Sequence, residues 1–196
     1  MKFGDLRVDV PEGQQGTWRV SKFTVDDVKN DIQAWRCARE GRPIKPGTYT
    51  RLMHDGEWGP VMSDTPAEVS DHLLFLYQAR GRILINGLGL GVVLKGLLIK
   101  PEVEHVDVVE RESDVINLVW PTYAREPRLT LHQGDAYMMQ WGKTIRWDYI
   151  WHDIWSSICT DNLEGITKLK RKYARRCGWQ GAWVEDLLRR YKRQGR

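Results

Sequence analysis

Residues 83–98 read ILINGLGLGVVLKGLL. Aliphatic side chains dominate this stretch, yet Gly87, Gly89 and Gly91 interrupt it at alternate positions. Glycine weakens strands and helices alike, so three so close together need a local reason. The backbone either turns sharply to pack a helix tightly on a strand, or it leaves room for something to approach closely. The flanking residues decide between these.

Outward from the glycines the pattern is regular. Thr65-Pro66 followed by Glu68 marks a helix start. That helix runs through AEVSDHLLFLYQAR, and its spacing predicts burial of Val69, Leu73, Leu74 and Tyr77. RILINGL is a continuous apolar strand of the kind covered on both faces in a parallel sheet. GVVLKGLLIK then reads as a helix, VEHVDVVER as a strand, and ESDVINLVWPTYA as a helix broken at Pro121. LTLHQGD is a strand, AYMMQWG a short helix and WDYIWHDIW another strand. NLEGITKLKRKYARR and VEDLLRRYKRQ are helices flanking CGWQGAW, the one candidate for a further strand. This alternation predicts an α/β, Rossmann-like fold: a mostly parallel twisted sheet flanked by helices, shortened at the C-terminus.

Residues 1–64 are less regular. TWRVSKFTV, GTYTRLM and EWGPVM read as short strands between Gly and Pro turns, and DDVKNDIQAWRCARE has helical spacing. The expected division is an N-terminal β-rich arm or cap over 1–64 and a Rossmann-like domain over 65–196, together one compact unit.

The composition sets bounds. At 196 residues the chain suggests one domain, and 41% hydrophobic with 29% charged residues is ordinary for a soluble protein. No apolar run reaches the ~18 residues that span a bilayer, and the first residues lack a signal-peptide core, so a cytoplasmic, non-membrane protein is expected. Cys37, Cys159 and Cys177 share no close spacing, which predicts reduced thiols and no metal site. The net charge of +4 conceals an asymmetry: residues 168–196 hold eleven Lys/Arg against Glu185 and Asp186. Such an end suits either a solvated helix face or an acidic partner such as nucleic acid. The partner is therefore a small-molecule substrate or a nucleic acid, with a homodimer left open.

The glycines fall where the first strand of the regular part gives way to a helix, which is where open α/β folds bind ligands. Gly87 permits a tight turn, Gly89 the close approach of a ligand, and Gly91 helix–strand packing. The next strand ends in Glu110, about 20 residues beyond the loop, where a carboxylate can accept hydrogen bonds from ribose hydroxyls. Val92-Val93-Leu94 after Gly91 depart from the dinucleotide fingerprint, and no G-K-[ST] follows for a triphosphate.

Six blocks in order, LMHDGEWGPVMSD, EVSDH, INGLGLG, VEHVDVVERESDVINLV, PRLTLHQGDA and WDYIWHDIWSS, resemble the class I S-adenosylmethionine-dependent methyltransferases. Within that superfamily they are most similar to the spermidine synthase group. The resemblance implies S-adenosyl-L-methionine as cofactor. It places Glu110, beside Arg111, on the ribose, and Asp135, with Gly134 and Ala136, on the adenine. Asn86, Gly87, Gly89 and Gly91 then lie under the methionine part, and His72 is on the preceding helix. Asp153 faces the reacting centre, and Asp153 or His152 is the candidate catalytic base.

The chain departs from the aminopropyl-transferring relatives, which carry an acid in the glycine loop and another soon after the Asp153 position. Here Leu88 and Leu90 occupy the loop, and Trp155, Ser156 and Ser157 the second stretch. Methyl transfer to an unidentified acceptor is the expected activity. Aminopropyl transfer and a non-catalytic binding module are the alternatives.

Overall fold

The structure, a computed structural model, describes residues 6–26 and 44–195. The helix expected over DDVKNDIQAWRCARE, and Cys37 within it, lie outside the described residues apart from Asp26.

Two sheets make up the fold. The first is an antiparallel meander of β1 (Gly13–Gln15), β2 (Trp18–Val25), β3 (Gly47–His54) and β4 (Pro60–Ser63) in sequence order. The second is parallel and holds β5 (Gly81–Asn86), β6 (Val103–Glu110), β7 (Leu129–Gln133), β8 (Trp147–His152) and β9 (Cys177–Ala182). Its spatial order is β7-β6-β5-β8-β9, with every pairing parallel. The connecting helices are α1 (Pro66–Gln78), α2 (Val92–Leu98), α3 (Ser113–Val119), α4 (Asn162–Tyr173) and α5 (Glu185–Arg193). A 3-10 turn at Trp120–Thr122 follows α3, because Pro121 lacks the amide that would continue the helix. The expected Rossmann-like α/β fold is present, and CGWQGAW supplies its fifth parallel strand. Among the described residues, no helix is long and apolar enough to cross a membrane.

The core explains the order. Ile83, Leu84 and Ile85 of β5 are at most 2% exposed, as a central strand covered on both faces requires. Each such side chain contributes roughly 1.5–3 kcal/mol by leaving water. A single apolar cluster joins Val20 and Leu52 of the meander to Leu76, Ile85, Leu94 and Val106 of the parallel domain. Asp64 reinforces that joint, accepting hydrogen bonds from the amides of Val8 (2.9 Å) and Thr50 (2.7 Å) just before α1. The end of α1 is held by Lys100, a buried residue whose Nζ donates to the carbonyls of Leu76 and Ala79.

Two local expectations are corrected. In α1 the buried residues are His72, Phe75 and Leu76, whereas Leu74 and Tyr77 are exposed. Phe75 lies flat on Trp151 of β8 with ring centroids 4.9 Å apart, and this stack fixes which face of the helix turns inward. AYMMQWG is a turn and extended chain rather than a helix. The Asp135 carboxylate accepts the amide of Tyr137 at 2.7 Å, and the segment turns there without propagating.

Candidate cofactor cavity at the strand ends

β5 neighbours both β6 and β8, so the sheet order reverses direction at β5 and opens a crevice beyond the strand ends. Backbone bonds lock those ends together: Gly87 N–H donates to Val109 O, and Asp153 N–H to Asn86 O, each at 2.8 Å. A cavity of about 330 Å³ lies there, within the range of small-molecule sites.

Gly87 has φ +104°, and a Cβ on it would sit 1.8 Å from the Asp153 carbonyl oxygen. The glycine is thus required by the crossing of two strand ends. Gly89 is approached closely not by a ligand, as expected, but by Met62 of β4. The Met62 sulfur would lie 2.4 Å from a Cβ there, and it accepts the Leu90 amide at 3.3 Å. The loop leucines are not cavity walls: Leu88 and Leu90 are buried in the apolar core.

Glu110 ends β6 with its carboxylate gathering three backbone amides. Oε2 accepts Leu88 N–H from the glycine loop at 2.9 Å, and Oε1 accepts Arg111 (2.7 Å) and Glu112 (2.9 Å). A carboxylate offers about four lone-pair sites, so it retains capacity for a hydroxyl donor. Gly134, Asp135 and Ala136 after β7 line the cavity beside it, as does Arg111, whose guanidinium pairs with Glu112 at 2.7 Å.

The other end of the cavity is acidic. Asp153 and His72 both line it, with His72 Nε2 and Asp153 Oδ2 3.9 Å apart. Burial, reinforced by the charges of Glu68, Asp71 and Glu110, pushes the Asp153 carboxyl up to about 8.

Three expected residues do not line the cavity; one is Gly91, where an added Cβ would meet the buried Tyr123 ring at 2.3 Å. The His152 ring is fully buried on the opposite side of β8. The Asn86 side-chain amide donates to its Nδ1 at 2.8 Å, which leaves Nε2–H to donate to Gln180 Oε1 at 3.2 Å. Both ring nitrogens serve the fold, and burial lowers the imidazole to about 4. His152 is therefore not placed as a catalytic base, and the Asn86 side chain is committed to its ring.

Sequence patterns missed several walls. Trp18, His54, Glu57 and Met62 come from the meander, and Tyr137, Trp155 and Trp183 from the loops after β7, β8 and β9. Trp183 precedes Val184, whose φ of 48° makes it the one left-handed non-glycine among the described residues. That turn, with a 3.2 Å hydrogen bond from the indole to Asp71, holds Trp183 against the cavity. Among the described residues no group of three or more His, Cys, Asp or Glu is arranged to hold a metal.

No family model matches the chain. Over 72 residues it is 39% identical to ribosomal RNA small subunit methyltransferase A of Pseudomonas syringae pv. syringae (strain B728a). That match takes in 36% of this chain and 26% of the relative's length. Solved structures with a similar backbone include the CcbJ methyltransferase of Streptomyces caelestis, at 18% identity and TM-score 0.47, over 65% of this chain and 52% of that one. Another is S-adenosylmethionine-bound CalS10, an amino pentose methyltransferase of Micromonospora echinaspora, at 18% identity and TM-score 0.37, over 54% and 43%.

Proposed function

We propose that this chain binds S-adenosylmethionine in the strand-end cavity and transfers its methyl group to an acceptor entering past the antiparallel sheet. The observation that carries the reading is Glu110: a carboxylate at the end of the second parallel strand, fastened to the glycine loop by the Leu88 amide. Its one remaining lone pair, on Oε2, suits a ribose hydroxyl, and Asp135 beside it suits the adenine amino group.

The donor set fits the charge of the cofactor. A sulfonium and an ammonium are cationic, and Glu68 and Glu110 line the cavity, joined by Asp153 where it is ionised. The cofactor, when bound, supplies an activated methyl group whose bonding electrons return to sulfur. The protein's part is then to hold acceptor and donor in line and to exclude water, which Trp155, Trp183 and Met62 do as cavity walls. Once ionised, above about pH 8, Asp153 Oδ2 is the atom positioned to receive a proton from an acceptor that must lose one.

The aminopropyl alternative asks for acids in the glycine loop, and those positions hold Leu88 and Leu90, packed in the core. A non-catalytic module would bind the cofactor without consuming it. Calorimetric titration with S-adenosylmethionine, S-adenosylhomocysteine and decarboxylated S-adenosylmethionine separates the methyl- and aminopropyl-transfer readings, and an assay of cofactor turnover separates the non-catalytic one. Heat with the first two, weaker binding of the decarboxylated form, and slow cofactor turnover with a competent acceptor are expected. No heat with any of the three on folded protein would remove the whole reading.

A further inference from the structure

The basic residues of the last two helices divide into two sets. Lys170, Lys172 and Arg176 are spent on the fold: Lys170 pairs with Glu185 at 2.9 Å, Lys172 donates to the Ala136 and Tyr137 carbonyls, and Arg176 to that of Gly142. The second set, Lys168, Arg171, Lys192 and Arg193, is exposed and lines an open groove between α4 and α5, where Arg189 is also exposed but pairs with Glu185 at 2.7 Å. Asp161 and Glu164 are the groove's two carboxylates, so cations prevail.

This groove adjoins the cavity. Lys168 Nζ stands 5.2 Å from the ring centroid of Tyr137, a cavity wall. One turn earlier on α4, Gly165 packs so closely on Tyr137 Oη that a Cβ would come within 2.4 Å. At the cavity's other lip, Ser156 Oγ donates to Glu57 Oε1 at 3.0 Å, tying the β3–β4 hairpin to the segment that leads to Thr160 at the groove. The next hairpin residue, Trp58, is wholly exposed, an indole with its full face in water. Cations beside a recessed, aromatic-walled cavity, with an exposed indole next to the lining residue Glu57, match a chain of phosphates carrying unstacked bases.

We propose that the α4/α5 groove binds the phosphodiester backbone of single-stranded nucleic acid, with Trp58 stacking on a base at the cavity mouth. Delivery of a base into the cavity as methyl acceptor rests on the function proposed above; binding in the groove does not. A single strand is specified because a base paired in a duplex cannot enter a recessed site without leaving its stack.

The experiment is fluorescence anisotropy of the full chain, without cofactor, against labelled mixed-sequence RNA and DNA of about 20 nucleotides, longer than one binding site of ~4–16. Each sequence is tested single-stranded and as a duplex. With about four phosphates engaged, affinity for the single strand should fall roughly 50-fold between ~50 and ~200 mM salt. Arg171→Glu combined with Lys192→Glu, and independently Lys168→Glu with Arg193→Glu, should weaken binding and flatten that dependence. Both variants should keep the parent's circular dichroism and its heat of S-adenosylhomocysteine binding. Trp58→Ala should lower affinity at least about fivefold and leave the salt slope intact, since stacking engages no phosphate. Any of four results overturns the proposal: no binding at the lowest salt, salt dependence unchanged in both charge reversals, preference for the duplex, or binding to phosphatidylserine vesicles in place of nucleic acid.

Discussion

The Asp153 carboxylate lies 3.9 Å from Nε2 of His72, against a helix that also carries Glu68 and Asp71. Its proton is held until about pH 8, whereas an unfolded aspartate releases it near 3.8. Between those values the folded chain binds the extra proton, so stability falls as pH rises. Asp153→Asn removes that dependence and should make the protein more stable at pH 9 by up to ~6 kcal/mol, with little change at pH 4. Urea unfolding at the two pH values measures it, and an unchanged pH profile would contradict the placement.

His152 runs in the opposite sense. Burial holds its ring neutral down to about pH 4, while the unfolded imidazole takes up a proton near 6.5. Stability is therefore lost as pH falls through that window, by up to ~3 kcal/mol. His152→Gln should flatten the acid limb and leave cofactor binding within about twofold. A tenfold loss of binding in a folded variant would return His152 to the site.

Gly87→Ala should cost more than about 3 kcal/mol, because the added carbon meets backbone rather than a movable side chain. Gly59 has nothing within 4 Å of an added Cβ, so Gly59→Ala is the matched control and should stay within about 0.5 kcal/mol. Thermal unfolding of the pair reads the difference.

Glu110→Gln keeps the shape of the residue and removes its charge. Three amide donors then face a group with one acceptor oxygen, so stability should drop by roughly 1–3 kcal/mol. S-adenosylhomocysteine affinity should drop about 10- to 100-fold, as measured by calorimetry below the variant's melting range.

What the sequence made legible is the part fixed by short-range pattern. The strand-loop-helix at residues 81–98, the carboxylate ending β6 and the acid ending β8 each follow from residues close together in the chain. The inward face of α1 did not, because Leu73, Leu74, Phe75, Leu76 and Tyr77 are all apolar or aromatic and leave the helical phase open. The Phe75–Trp151 stack that settles the phase is a contact across 76 residues. The segment after Asp135 has helix-forming residues but only a few before Gly142, too few to repay nucleation. Trp18, His54 and Met62 were invisible as cavity walls, because nothing local says that an antiparallel meander will face the parallel strand ends.

That division of walls has an evolutionary consequence. One end is built from residues between Gly87 and Ala136, while the far lip is built from Trp18, Leu52, His54, Glu57, Val61, Met62 and the loops after β8 and β9. Under the proposed function, changes in the hairpin that carries Glu57 and Trp58 would retarget the chain to a new acceptor without disturbing Glu110 or the glycine loop. Substrate choice and donor recognition would then be separately heritable traits.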